Sequence, residues 1–230
     1  MLQHSSTHTR RGMCALLALA VLALTLALIP SATLAAPVAV PTIDIAAARA
    51  LPLGSTVTVK GAVTVPSGVF SSSTFDQGFA IQDRSGGIYV SIATNLGLAL
   101  RRQVRVTGQL AESFGQLILV VASPADVKIL DIGPKVAPQS LSTGAISEAT
   151  EGLLVTVSGT ITRIIIDLPY GYQVFIDDGS GETQVFVCAS TGIDVSGWAV
   201  GQPLQATGYS GQFAAQYEVL PRGPSDVQIQ

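Results

Sequence analysis

The segment FAIQDRSGGIYVSI, residues 79–92, decides the fold of this 230-residue chain. Phe79 and Ile81 begin an alternation of apolar residues, the polar sequence DRSGG interrupts it, and every second residue from Ile88 to Ile92 is apolar again. A period of two on both sides of a Gly-rich turn predicts two antiparallel strands joined by a tight hairpin. The segment therefore indicates a β-protein, and the rest of the chain is interpreted outward from it.

The hairpin belongs to a unit that occurs twice in the chain. Its first half, IQDRSG at residues 81–86, returns as IDDGSG at residues 176–181. Three other segments return in the same order: VTVKG (57–61) as VTVSG (155–159), RVTGQ (105–109) as QATGY (205–209), and SPADVKI (123–129) as GPSDVQI (223–229). Four matches in one order indicate a duplication of about 90 residues, which is long enough for each copy to form a core of its own.

The first copy has a pattern of five strands with short helices. The pattern predicts a helix over Thr42–Leu51, strands at Val57–Val65, Phe79–Ile81 and Ile88–Ile92, a helix over Ala93–Leu100, a fourth strand around Val104–Val106, and a fifth from Leu117–Val121 with Val127–Ile129. A long loop follows the first strand, and a helix precedes the fourth. This order is typical of the OB-fold, a five-stranded Greek-key barrel, whereas an immunoglobulin-like sandwich needs about seven strands.

The sequence thus predicts an all-β protein with short helices, built from two tandem OB-fold-like barrels after an N-terminal signal peptide. The predicted divisions are a signal peptide over residues 1–35, a first OB repeat over 36–130, a linker over 131–140 and a second repeat over 141–230. Gly133, Pro134 and Pro138 interrupt the periodicity in the linker.

The first 35 residues have the composition of a secretory signal. Arg10 and Arg11 precede an apolar run from Met13 to Ile29, and small residues lead to Ala35. We expect cleavage after about Ala35 and a secreted or extracytoplasmic location. An uncleaved signal that anchors the protein in the membrane is the alternative, because 17 apolar residues approach the length of a bilayer span.

Removal of the leader leaves 195 residues with 10 basic and 15 acidic side chains, and with no histidine. Nucleophile systems that depend on an imidazole and His-containing zinc sites are therefore excluded from the mature chain. Only Cys188 remains, so an intramolecular disulfide is excluded as well. We expect no cofactor and no metal.

The string IQDRSGGIYV at residues 81–90, followed by RRQVRVTGQL (101–110) and the FGQ turn (114–116), resembles the OB-fold domain that accompanies secreted bacterial nucleases and phosphoesterases. The resemblance extends over about residues 42–130 and, more weakly, 139–230. It implies an accessory binding domain, because the catalytic activity of those enzymes lies in a separate domain. A separately encoded extracellular nuclease or phosphoesterase is accordingly an expected partner.

Side-chain alternation on the third strand of each copy indicates a binding face. With Ile88 and Val90 inside the first barrel, Tyr89 must point outward, and Phe186 occupies the aligned outward position of the second copy. OB-folds stack bases on this strand and its neighbour. The predicted stacking residues are Tyr89, Phe186, Phe175, Phe114, Phe213 and Tyr172. The alternative is that these rings pack the two barrels against each other or against the leading helices.

Basic residues are few and lie mainly in the first copy. The predicted phosphate-binding residues are Arg84, Arg101, Arg102 and Arg105. A solubilising role explains the same charges without a ligand. With so few cations, binding to phosphates would be weak and sensitive to salt.

Acidic residues do not form a recognisable catalytic or metal site. Asp177, Asp178 and Glu182 lie in the second hairpin without the spacing of an EF-hand, and a turn role is favoured. The sequence therefore predicts an exported, non-catalytic protein that binds single-stranded nucleic acid or a nucleotide-like ligand on the strand 2 and 3 face and the groove loops. Two alternatives stay open: a structural or protein-interaction module of the cell envelope, and an oligosaccharide-binding module.

Overall fold

The alternating apolar segments form two β-sheets of seven strands each. A computed structural model describes residues 40–72 and 75–230, so the predicted signal peptide lies outside the described residues. Within the described ranges, no helix has the length and apolar character needed to cross a bilayer.

The first sheet closes into a barrel. Its strands are β1 (Thr42–Ile43), β2 (Thr56–Val65), β3 (Phe79–Gln82), β4 (Gly87–Ser91), β5 (Arg102–Ser113), β6 (Gln116–Val120) and β7 (Val127–Ile132). They follow the order β1-β2-β3-β4-β6-β5-β7, and β2 also pairs with β5 from Thr56 opposite Gln109 to Ala62 opposite Gln103. That additional pairing closes the barrel, which we call barrel 1.

The second sheet repeats this arrangement as barrel 2. Its strands are β8 (Gln139–Ser140), β9 (Leu154–Asp167), β10 (Gly171–Asp177), β11 (Thr183–Cys188), β12 (Pro203–Phe213), β13 (Gln216–Leu220) and β14 (Val227–Ile229). The antiparallel pair β9–β12 closes it, and the parallel pair β11–β13 corresponds to β4–β6 of barrel 1. Two tandem OB-like barrels are therefore present, as the sequence predicted. The predicted domain boundaries themselves stay predictions.

Helices are short throughout the described part of the chain. The predicted leading helix is present as α1 (Ile45–Arg49), and single 3-10 turns lie at Pro124–Asp126, Thr143–Ala145, Glu148–Thr150, Ala189–Thr191 and Pro224–Asp226. The predicted helix over Ala93–Leu100 was wrong, because the segment is irregular and contains no helical residue. Gly97 has a φ of +62°, and its backbone N–H donates to the Asn95 side chain at 2.9 Å, which is turn geometry.

Each barrel has its own apolar core. Ile88 and Val90 of β4 lie in the core of barrel 1, and Val185 and Val187 of β11 lie in the core of barrel 2. These are the positions that a period of two assigns to the interior. The predicted inward faces of both third strands are therefore confirmed.

The barrels also share a third apolar cluster, which lies between them and belongs to one compact unit spanning Ala39–Gln230. We call it the interbarrel cluster. Its buried members are Val65, Phe70, Ala80, Tyr89 and Ile118 of barrel 1 with Tyr209 and Leu220 of barrel 2. The outer faces of β3, β4 and β6 are thus covered by the outer faces of β12 and β13.

Polar contacts join the barrels beside this cluster. The Arg49 guanidinium lies 2.9 Å from Glu151, whose side chain is fully buried and also accepts the Leu117 backbone N–H at 3.1 Å. Burial raises the pKa of Glu151, and Arg49 opposes that shift. Gly87 and Gly152 meet backbone to backbone here, and a Cβ on either would overlap the other's carbonyl oxygen. The contact therefore depends on the lack of a side chain at both positions.

Candidate ligand-binding groove

Tyr89 points away from the core of barrel 1, as predicted, but its ring is covered. Only 1% of the residue is exposed, because Tyr209 of barrel 2 packs edge-on against the ring at a centroid distance of 6.2 Å. Phe70 stacks on it at 6.4 Å. The expectation that Tyr89 offers an open stacking face was wrong: the alternative, packing between the barrels, applies to this residue.

The Tyr89 hydroxyl is held as a structural group. It donates to the Asp76 carboxylate at 2.7 Å and lies 3.2 Å from the Phe70 carbonyl oxygen. Burial raises the pKa of Tyr89 strongly, and the negative charge of Asp76 adds to the shift. Tyr89 therefore remains a neutral donor that ties β4 to the loop after β2.

The corresponding face of barrel 2 is only partly covered: Phe186 is half-buried, while Phe175 and Gln184 are each 6% exposed. On β10 and β11 the outward residues include Phe175, Gln184 and Phe186, and they form the floor of a groove of about 680 Å³. This is the strand 2 and 3 face on which OB-folds bind their ligands. Duplication thus produced two such faces, one buried between the barrels and one lining a groove.

Loops from both barrels form the walls of the groove. Phe75 and Phe114 of barrel 1 are 73% and 59% exposed, and Tyr170 and Phe213 of barrel 2 are 58% and 53% exposed. Phe114 and Phe213 stack with ring centroids 5.2 Å apart and planes 14° from parallel. Large apolar rings with this exposure mark a contact surface when they line one concavity.

Backbone geometry holds two of these rings outward. Phe75 and Phe114 have φ values of +56° and +50°, a region that bulky residues rarely adopt. The Phe114 carbonyl accepts the Ala214 backbone N–H at 2.6 Å, which joins the hairpin turns of the two barrels. Local strain of this kind persists where the surrounding structure fixes it and is common at ligand sites.

Phe175 and Tyr172 differ from their predicted roles. Phe175 lines the groove but is only 6% exposed, because the Arg163 guanidinium lies 3.8 Å from its ring centroid. Tyr172 is not in a groove loop: it is on β10 on the same face as Val174, and it packs against the core of barrel 2. The sequence pattern did not locate the start of this strand: β10 begins at Gly171, and alternation within it turns Tyr172 inward with Val174.

One buried carboxyl group closes the end of the groove. Glu218 on β13 lies opposite Gln184, whose side-chain amide donates to it at 2.8 Å. Burial raises the pKa of Glu218 to about 8, so the group is mostly neutral at pH 7. Burial and Glu218 together raise the pKa of Cys188 to about 12, which leaves its thiol protonated.

Charge at the groove is mainly acidic, and the guanidinium of Arg163 over the Phe175 ring is paired with Glu182. Of the described residues that line it, none is Lys or Arg, whereas Asp167 and Glu218 are carboxylic. The whole of barrel 2, taken as residues 141–230, has nine acidic and two basic side chains. The groove is therefore suited to uncharged ligands rather than to anions.

The predicted phosphate-binding arginines lie elsewhere. None of Arg84, Arg101, Arg102 and Arg105 is among the groove's described lining residues, and all four belong to barrel 1. Arg102 donates to the Leu130 carbonyl at 3.4 Å, and the other three are exposed. The structure does not bring the predicted stacking and phosphate-binding residues together.

The acidic hairpin of barrel 2 has a turn role. Asp177 accepts the backbone N–H groups of Gly179 and Gly181 at 2.7 and 3.2 Å. Asp178 accepts from Ser180 and Thr143, and these hydrogen bonds lower its pKa. Glu182 pairs with Arg163 at 3.1 Å. All three carboxylates thus have protein partners.

Most residues that line the groove were not among the predicted site residues, and Phe75, Tyr170, Gln184 and Glu218 are examples. Gln184 shares the outward face of β11 with Phe186, so alternation alone was sufficient to find it. Glu218 required the parallel register of β11 and β13, which the sequence pattern does not contain.

No protein-family model matches the sequence, and no curated protein matches it. Among solved structures, the p204 HINb domain has a TM-score of 0.38 at 11% identity, over 77% of this chain and 98% of that one. A murine DNA-binding protein bound to double-stranded DNA has a TM-score of 0.37 at 11% identity, over 74% and 94%. The Ifi202 HINa domain with 20 bp of double-stranded DNA has a TM-score of 0.33 at 13% identity, over 78% and 97%. All three TM-scores lie below 0.5, so no statement about function rests on them.

Proposed function

We propose that the protein is a non-catalytic binding protein that holds an uncharged oligosaccharide in the groove of barrel 2. The observation that carries this proposal is the lining: aromatic rings and side-chain amides converge on the strand 2 and 3 face without a lysine or arginine among the described lining residues. OB-folds use this face for oligonucleotides and oligosaccharides alike. A lining without lysine or arginine favours the uncharged oligosaccharide over the negatively charged oligonucleotide.

The groove offers both kinds of contact that a sugar needs. The apolar face of a sugar ring packs against an aromatic side chain, and Phe114 and Phe213 present adjacent, parallel rings at the rim. Gln173 and Gln184 supply amide donors and acceptors for hydroxyl groups. Glu218 in its neutral form adds an O–H donor at the floor.

Phosphates fit this groove poorly. A nucleic-acid strand placed on the rings brings its backbone close to Asp167 and to the acidic surface of barrel 2, and like charges at an interface oppose binding. Proteins that bind single strands without sequence preference combine aromatic stacking with a positively charged groove. Single-stranded nucleic acid therefore stays a prediction from the sequence, and it is one arm of the test below.

The carboxyl groups support binding rather than hydrolysis. The strand register gives the distance between Asp167 on β9 and Glu218 on β13. Asp167 pairs with Gly171 on β10, which pairs with Cys188 on β11. Four residues before Cys188 on the same strand, Gln184 pairs with Glu218. Three strand spacings of about 4.8 Å and four steps of about 3.3 Å separate the two carboxylic residues by roughly 20 Å along the sheet. Glycosidase carboxyl pairs lie at most about 9.5 Å apart.

Export completes the proposal. The predicted signal sequence directs the protein out of the cytoplasm. Outside the cytoplasm, polysaccharides of the envelope or of the surroundings are accessible to it. The predicted partnership with a separately encoded nuclease or phosphoesterase remains an expectation from the family resemblance.

Isothermal titration calorimetry with cellohexaose and chitohexaose tests the proposal. We expect binding to the wild type and its loss in the double variant Phe114→Ala, Phe213→Ala. The matched control is Leu53→Ala, Ile132→Ala, which removes two exposed apolar side chains (57% and 68% exposed) that are not among the groove's lining residues.

Two results would overturn the proposal. The first is no heat from either sugar at about 1 mM ligand, a concentration that detects binding worth only about 4 kcal/mol. The second is binding of the single strand (dT)12 that disappears in the same Phe variant, which would assign the groove to nucleic acid.

A further inference from the structure

Three basic side chains form a row across the outside of barrel 1. Arg105 on β5 is directly opposite Lys60 on β2 and directly opposite Lys128 on β7. Residues opposite one another in neighbouring strands point to the same side of the sheet, and all three are exposed. We call Lys60, Arg105 and Lys128 the basic row.

The row concentrates like charge at short range. Neighbouring strands lie about 4.8 Å apart, so the three backbone positions span about 10 Å. Like charges directly opposite one another in a sheet are destabilising. No ion pair in the described part of the chain neutralises any of the three.

The neighbours of the row are mainly neutral. On one flank, Thr58 and Thr107 hydrogen-bond to each other at 2.8 Å. Asp126, two residues before Lys128 in the 3-10 turn that precedes β7, is half-buried. Barrel 1, taken as residues 36–130, has seven basic and five acidic side chains, in contrast to acidic barrel 2.

The fold does not require the basic row. In barrel 2 the same three strands place Ser158 opposite Gln205 and Gln205 opposite Gln228. These are the aligned positions of the duplicated segments, and all three residues are neutral. Gln205 donates its side-chain amide to the Ser158 hydroxyl at 3.3 Å. The same scaffold therefore accepts a neutral row, so folding does not require the three charges of barrel 1.

We propose that the basic row binds the phosphodiester backbone of single-stranded nucleic acid. Three unpaired cations in a line of about 10 Å match a run of successive phosphates in charge and spacing. A flexible strand can follow a convex barrel wall, whereas duplex DNA is stiff over about 150 bp and touches such a wall at few points. This surface is separate from the groove of barrel 2, so it does not depend on the sugar proposal.

Electrostatic binding of this kind has a defined salt dependence. Contact with three phosphates of a single strand predicts a slope of about −2 for the logarithm of the association constant against the logarithm of salt concentration. Between 50 and 200 mM salt, binding should weaken by about 20-fold. Binding that does not depend on salt would contradict the assignment.

Fluorescence anisotropy with labelled (dT)12 in low salt tests the row. The variant Lys60→Ser, Arg105→Gln, Lys128→Gln carries the side chains that barrel 2 has at these positions, so we expect it to fold. Its affinity should fall at least about 10-fold and its salt slope should approach zero, since the phosphate contacts are gone. The matched control Lys135→Gln, Gln139→Glu, Gln230→Glu lowers the net charge by the same three units at exposed positions outside the row.

The controls separate the row from general charge. Equal weakening by the row variant and the control overturns the proposal, because net charge alone would then explain binding. Equal or tighter binding of a 12 bp duplex, or tighter binding of a sulfated polysaccharide, overturns the assignment to single strands. The reverse variant Ser158→Lys, Gln205→Arg, Gln228→Lys should add a second binding site, and no gain counts against the geometry. The Phe114→Ala, Phe213→Ala variant should leave (dT)12 binding unchanged, which distinguishes this surface from the groove.

Discussion

Glu218 gives the protein a pH-dependent stability that one substitution should remove. In the folded protein, burial raises the pKa of this carboxyl group to about 8 from the ordinary value of 4.5. Between these two values the folded state keeps the proton and the unfolded state releases it. The contribution of Glu218 to the free energy of unfolding is therefore fully present below about pH 4.5, and it decreases as the pH rises towards 8.

The magnitude follows from the size of the shift. Each pH unit between 4.5 and 8 should cost about 1.4 kcal/mol of unfolding free energy, or about 5 kcal/mol in all. Glu218→Gln keeps the oxygen that accepts from Gln184 and has no proton to release. The variant should therefore lack this part of the pH dependence and should be more stable than the wild type at pH 8.

Urea unfolding between pH 5 and pH 8.5, followed by the fluorescence of Trp198, measures the effect. Trp198 is the single tryptophan of the chain and packs against the core of barrel 2. The informative quantity is the difference in slope between wild type and variant, because the raised pKa of Glu151 contributes to the wild-type slope as well. Glu112→Gln, at an exposed position, controls for the loss of one acidic residue. Identical slopes in wild type and Glu218→Gln would refute the reasoning.

Three further predictions concern the interbarrel contact and the groove. Tyr89→Phe removes one of the hydrogen bonds that the buried Asp76 carboxylate accepts and should cost about 1.5–3 kcal/mol in urea unfolding; no change would show that the hydroxyl is dispensable. Gly87→Ala forces the barrels apart at Gly152 and should lower Tm by several degrees in calorimetry, while Gly197→Ala, in open space, should not. The pKa of Cys188 is raised to about 12 from the ordinary thiol value of 9.0, so at pH 8 it should react with iodoacetamide about 1000-fold more slowly than an ordinary thiol. Peptide mass spectrometry measures the rate, and a rate equal to that of an ordinary thiol would show that Cys188 is not buried.

Alternation along a strand predicted the barrels because it is a local property. A period of two assigns Ile88 and Val90 to the interior whatever lies on the other side of the sheet. The same rule assigns Tyr89 and Phe186 to the exterior of their barrels, but it does not predict whether either ring is exposed to solvent. Whether an exterior ring meets solvent depends on how the two barrels pack, which is a long-range property.

Tyr89 and Phe186 show this limit most clearly. They are aligned residues of one duplicated unit, yet Tyr89 is fully buried in the interbarrel cluster, whereas Phe186 packs against the edge of that cluster, stays half-buried and lines the groove. The basic row has the same origin: Lys60 and Lys128 are 68 positions apart in the sequence, and only the strand register places both beside Arg105. The predicted helix over Ala93–Leu100 failed for a local reason instead, since Asn95 and Gly97 favour a turn.

Duplication left one OB face closed between the barrels and one lining a groove, and we propose that the groove face is the sugar site. Two-dimensional NMR of the 15N-labelled protein, titrated with whichever of the two hexasaccharides binds more tightly in calorimetry, tests it residue by residue. We expect the backbone amide signals of Phe175, Gln184 and Phe186 to shift with ligand while those of Ala80 and Tyr89 stay in place. Shifts at Ala80 and Tyr89 without shifts on β10 and β11 would contradict the account.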